Sequence, residues 1–216
     1  MPADCVSRHV WLAAAVLVSC TATACVSGES AADAEDEAKE AVVLASGEKA
    51  QKDHVRPQVL LPVDRLPAGH QVRFAVILEV ENGWHINTNP ARPSFSQPTT
   101  VTVKAKHGTK ATTVDYPTGH DLTIEGFDEP VSVYEGQVML FGTLNVPDAA
   151  ARQTEELTVE IKFQACNERL CLAPKTTKLI GKIPVAAAGE PVKKINEKVF
   201  EKDEQEKRRK KAAQRG

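Results

Sequence analysis

Apolar and polar residues alternate with a period of two over residues 58–63, 72–81, 99–104, 131–134, 138–146 and 157–163, and each run is bounded by Gly, Pro, Asn or Asp. Alternation sends successive side chains to opposite faces of a strand, so these runs predict strands with one face buried. Short strands separated by turn residues predict an all-β chain folded as an antiparallel sandwich. The 13 prolines and 12 glycines lie mostly at the joints, which disfavours a helical bundle.

The pattern changes at both ends. Residues 10–19 form an apolar run preceded by Arg8 and His9 and followed by small residues, the plan of an export signal. The run is too short to span a bilayer, which takes about 20 apolar residues. Leu17-Val18-Ser19-Cys20 resembles a lipobox, which makes Cys20 the lipidation candidate, while Ala22-Thr23-Ala24 fits ordinary cleavage and leaves Cys25 first. Residues 27–53 are rich in Ala, Glu, Ser, Asp and Lys and hold no aromatic, so they cannot bury enough surface to offset the entropy of ordering. In the tail Val192, Ile195 and Val199 recur at helical spacing. Asp203/Lys207, Glu204/Arg208 and Glu206/Lys210 are acid-first pairs four residues apart, predicting a charged terminal helix that frays into its basic end. The chain therefore divides into a signal region over 1–25, an acidic flexible tether over 26–54, a sandwich over 55–187 and a charged helical tail over 188–216.

Composition narrows the function. With 216 residues, 42% hydrophobic and 26% charged, the chain can bury one ordinary core. Charge is uneven: residues 26–54 hold eight acids against three lysines, net −5, and residues 191–216 hold ten Lys and Arg against five acids, net +5. Residues 55–190 are nearly neutral, with 13 basic and 15 acidic side chains, so they lack the clustered basic face that nucleic acid requires. The chain has no internal repeat, no Gly-rich phosphate loop, no G-x-S-x-G and no H-E-x-x-H, leaving phosphate and hydrolase chemistry without support.

The cysteines carry the remaining signal. Cys5, Cys20 and Cys25 fall in or beside the signal region, which leaves Cys166 and Cys171 as one C-x4-C pair in the sandwich. An exported protein keeps such a pair oxidised, either as a staple or as an exchangeable disulfide. A six-residue loop gives a staple only about 2 kcal/mol, against about 4 to 5 for a hundred-residue loop. Short, exposed disulfides are the reducible ones. No further ligands complete a zinc set around the pair, and neither His nor Met follows Cys171 as copper would want, so no metal site is expected. His54, His70, His85, His107 and His120 are scattered and read as surface or internally satisfied histidines.

The segment from Phe163 to Pro174 (FQACNERLCLAP), preceded by Gly83-Trp84-His85-Ile86-Asn87 and Tyr134-Glu135-Gly136, resembles the N-terminal periplasmic domain of the thiol:disulfide interchange protein DsbD over about residues 55–187. The resemblance implies an immunoglobulin-like sandwich that passes electrons between a membrane-embedded reductant and periplasmic thioredoxin-like proteins, with no bound cofactor. It also implies that Cys171 forms the mixed disulfides and Cys166 resolves them. A cap in that family covers the disulfide with an aromatic side chain; Phe127 matches it in Ile124-Glu125-Gly126-Phe127-Asp128-Glu129, with Glu125 as a nearby acid, although Phe127 also reads as a core aromatic. Trp84 reads as a core residue, whereas His85 and Asn87 face the other way on a strand and can line the cysteine rim. Full-length DsbD also carries a membrane-spanning conduit and a thioredoxin-like domain, which are not in this chain, so the reductant is expected to act in trans. Two readings follow: an exported, lipid-tethered redox relay of the thiol:disulfide oxidoreductase type, or a non-catalytic immunoglobulin-like envelope binding module with a structural Cys166–Cys171 bridge.

Overall fold

The computed structural model describes residues 45–46, 54–124 and 128–213. Thirteen strands are present among them: β1 (Ala45–Ser46), β2 (Val55–Leu60), β3 (Leu66–Pro67), β4 (Gln71–Val80), β5 (His85–Asn87), β6 (Thr100–Ala105), β7 (Lys110–Asp115), β8 (His120–Leu122), β9 (Val131–Tyr134), β10 (Gln137–Asn145), β11 (Thr154–Phe163), β12 (Ala165–Cys166) and β13 (Lys175–Ala186). One helix, α1 (Glu197–Ala213), follows. The result is an all-β, immunoglobulin-like sandwich.

One sheet runs β1-β13-β11-β6, with β3 added in parallel to β13, and the other runs β2-β4-β10-β7. Alternation drives the first: Leu157, Val159, Ile161 and Phe163 of β11 point inward, while Glu160 and Lys162 point outward. From the second sheet Phe74, Val76, Leu78 and Leu140 meet them in one core. Gly142 of β10 lies so close to the Phe74 ring and to the Thr113 carbonyl that a Cβ there has no room. Glu155 shares the inward face of β11 and is fully buried, with His107 N at 2.7 Å and Thr109 Oγ1 at 2.7 Å donating to its carboxylate. Burial works to raise its pKa, but these hydrogen bonds outweigh it and hold the carboxyl below its usual value.

The run FAVILEV of β4 is apolar on both faces, and the second face is also covered. Ala75 and Ile77, with Leu60 and Phe141, form a small cluster against which Val199 and Phe200 of α1 pack. Arg73 Nη2 donates to Asp203 at 2.6 Å, Asp115 accepts from Arg73 and from Lys207 at 3.2 Å each, and Lys207 reaches Asp203 at 3.4 Å. The tail helix therefore docks on the sandwich. It begins after Val192 and Ile195; Ile195 instead buries its side chain and donates its N–H to the Pro62 carbonyl. Within the segment expected to be a tether, Ala45–Ser46 pairs with Ile180 and Leu179 at the edge of β13. None of the helices among the described residues is long and apolar enough to cross a membrane.

Candidate redox site

A third, smaller sheet, β12-β5-β9-β8, carries the cysteines. β11 and β13 stay paired as far as Phe163 and Lys175, so residues 164–174 form an excursion that leaves and rejoins one ladder. Inside it Cys166 and Cys171 face each other across an antiparallel bridge with Cα atoms 4.0 Å apart and are joined by a disulfide. The flanking bonds Asn167 N to Leu170 O and Leu172 N to Ala165 O, both 2.9 Å, make this a non-hydrogen-bonded pair, the closer of the two antiparallel spacings. The turn at its tip is held by Asn167, whose Oδ1 accepts from the N–H groups of Arg169 and Leu170. Gln164 Nε2 donates to the Leu172 carbonyl and pins the base.

The two cysteines differ in exposure: Cys166 is 4% exposed, whereas Cys171 is an exposed residue. Both line an open cavity of about 680 Å³ whose wall also includes His85, Asn87, Ile124 and Gln164. His85 and Asn87 come from β5, where Cys166 pairs with His85 and Ala165 with Ile86. Both are buried. Asn87 is a brace: its Nδ2 donates to the Gln97 carbonyl at 3.0 Å and its own carbonyl accepts from Thr99 Oγ1 at 2.7 Å, which ties down the loop over 88–99. Burial is the main influence on His85 and pushes its pKa below the ordinary value; Glu135 opposes the shift and His120 adds to it. Glu135 follows β9 in a turn that needs glycine, since Gly136 has φ 61°, and it forms a 3.0 Å ion pair with His120 Nε2. Tyr134 beside it is buried and donates to the Pro117 carbonyl at 2.7 Å.

Trp84 differs from its expected place in the core. It is half-buried at the core's edge, with the ring of His54 stacked on it at 3.6 Å and His54 Nδ1 2.7 Å from Glu81 Oε2. Glu125 and Phe127, the cap candidates, lie outside the described residues, as do Cys20 and Cys25. Two rim residues escape sequence reasoning. Phe95, 78% exposed, and Leu170, 50% exposed, both line the cysteine cavity. The signal for Phe95 was present: an aromatic set between Pro93 and Pro98 in a polar loop has no strand to bury it. Among the described residues no group of three or more His, Cys, Asp or Glu side chains is arranged to hold a metal ion.

The sequence profile of the family described as thiol:disulfide interchange protein DsbD, N-terminal, matches residues 53–181. Among solved structures, the chain is similar to the N-terminal periplasmic domain of ScsB from Proteus mirabilis, with TM-score 0.47 and 10% identity, over 70% of this chain and 53% of that one. It thus spans about half the length of that solved chain. A second likeness is to the GAE domain of yeast GGA1, with TM-score 0.37 and 9% identity, over 68% of this chain and 100% of that one. No curated protein sequence matches.

Proposed function

The chain belongs to the family of the N-terminal domain of the thiol:disulfide interchange protein DsbD, and from that premise we propose that it is an exported redox relay whose Cys166 and Cys171 cycle between dithiol and disulfide against thioredoxin-like envelope proteins. A lipid on Cys20, or on Cys25, holds it at the membrane, and a reductant in that membrane acts in trans. The observation that carries the reading is the unequal exposure of two bonded cysteines, Cys171 exposed and Cys166 4% exposed, on one cavity wall. Exchange proceeds by thiolate attack on one sulfur of a disulfide, and the accessible sulfur is the one attacked. Cys171 therefore forms the mixed disulfide and Cys166 displaces the partner. Phe95 and Leu170 give the partner an apolar rim to rest on.

In this proposal Phe127, with Glu125 two positions before it in sequence, is the shield that keeps stray disulfides from the reduced pair. Ile124 and Val131, which bracket that segment in sequence, line the cysteine cavity and support the assignment. The roles of the sulfurs are tested by trapping. Cys166→Ser is expected to accumulate a covalent complex with a thioredoxin-like partner, because the resolving thiol is gone, and Cys171→Ser to accumulate almost none. Equal trapping by the two variants, or trapping by neither, overturns the assignment and leaves the bridge a structural one.

A further inference from the structure

Cys166 has a cross-strand neighbour on each side: His85 on β5 and Cys171 across the hairpin. Directly opposed residues of antiparallel segments put their side chains on one face, with Cβ atoms about 4.5–5.5 Å apart. His85, Cys166 and Cys171 thus stand in a row, and all three line the same cavity. The order within the row is informative, because His85 is paired with the buried cysteine rather than with the exposed one.

That sulfur has a chemical problem. A thiol attacks only as its thiolate. Burial disfavours the charged form, so a sulfur shut away from water ionises at a desolvation cost unless its proton passes directly to a neighbouring base. Cys166 is 4% exposed and His85 is 3% exposed, so neither exchanges protons freely with bulk water. We infer that His85 accepts the proton of Cys166 as that residue resolves a mixed disulfide on Cys171, and hands it back when the reaction runs in reverse. The inference rests on the exchange reading above and deepens it.

The step balances. Cys166 Sγ loses its proton to the ring nitrogen of His85 and bonds to Cys171 Sγ. The bond between Cys171 Sγ and the partner's sulfur breaks, and the electron pair leaves with the partner's sulfur, which is protonated from solvent or from His85. The two protein sulfurs end oxidised and the partner's sulfur ends as a thiol. In reverse, a partner thiol passes its proton to His85 as its sulfur attacks Cys171 Sγ, the Cys166–Cys171 bond breaks with its electron pair on Cys166 Sγ, and that sulfur takes the proton from His85.

The groups facing the ring come from the hairpin, from β8 and from β9. Glu168 and Arg169 of the hairpin share its cavity, while Glu135 after β9 and His120 of β8 act on it through space, paired with each other. Buried Tyr134 on β9 is occupied by the Pro117 carbonyl. Burial dominates and lowers the pKa from 6.5, so the ring is neutral and able to accept a proton at pH 7.

The test uses the full chain carrying Cys5→Ser, Cys20→Ser and Cys25→Ser, reduced and mixed with the aromatic disulfide dithiobis-nitrobenzoate. The reagent first loads Cys171, and the second release of thionitrobenzoate reports attack by Cys166. With His85 as acceptor, the second rate is flat between pH 6.5 and 8.5. In His85→Gln it rises about tenfold per pH unit, about a hundredfold across that range, because it then follows the thiolate fraction of a sulfur whose burial keeps it mostly protonated throughout. A wild-type rate that itself climbs tenfold per unit overturns the inference even if the variant does not fold, and so does a His85→Gln profile that superimposes on the wild type. Absence of any second release from the wild-type pair overturns the exchange reading instead.

Discussion

β4, β11 and β13 run for ten to twelve residues, whereas β5, β8, β9 and β12, which bring Cys166, His85 and Tyr134 together, run for two to four. The long strands share extended ladders and bury Phe74, Leu78, Ile161 and Phe163 between them. The short ones have a few ladder bonds each and one face open to a cavity. Local opening costs least where buried contacts and backbone bonds are fewest. The molecule thus separates a part that holds shape from the part to which the proposed exchange is assigned, and the difference can be measured.

The largest effect is expected on the long-strand side. Phe74→Ala should cost about 3 to 5 kcal/mol in denaturant unfolding, with the thiol reactivity of the molecules that remain folded unchanged; altered reactivity breaks the separation. A smaller effect is expected on the short-strand side. Replacing both Cys166 and Cys171 by Ser should cost about 2 kcal/mol or less, the closure entropy of a six-residue loop. A loss of about 4 to 5 kcal/mol, the scale of a long staple, means that the hairpin supports the whole sandwich. The smallest effect concerns Phe127→Ala, expected to cost under about 1.5 kcal/mol while speeding reaction of the reduced pair with a small disulfide reagent. A core-sized loss with unchanged reactivity makes Phe127 a core residue and sharpens the search for the shield.

The long strands were the legible part of the chain. Alternation locates β4, β6, β9, β10 and β11 to within a few residues, because their inward positions hold Val, Leu, Ile or Phe. β13 is hidden from the same argument: its inward face includes Thr177 and Gly181, while Ile180 and Pro184 point out, so the binary pattern is scrambled. β7 is an edge strand whose inward residues, Ala111 and Val114, stand three positions apart because its pairing with β10 shifts register between them, so no period of two is visible. The docking of α1 depends on an ion cluster joining Arg73, Asp115, Asp203 and Lys207 from three separate stretches of chain, and no local pattern reports that. Its one local clue was β4, apolar on both faces and therefore in need of two covers. At the site, the C-x4-C spacing and the alternation of His85 with Trp84 and Ile86 were readable. The order His85, Cys166, Cys171 was not, since it depends on pairing across 81 positions of chain between residues 85 and 166.

The cysteine hairpin leaves the β11–β13 ladder at Phe163 and returns to it at Lys175, residues that remain opposite each other. Under the proposed exchange, a partner bound covalently to Cys171 pulls on a segment anchored at two adjacent points of the same ladder. Tension applied through the mixed disulfide divides between β11 and β13 and loads their hydrogen bonds side by side. No single strand is peeled from its end, and the Cys166–Cys171 bond bears none of the load while it is open. The sulfurs can change partners under thermal jostling between two tethered proteins while the sandwich beneath them holds its register.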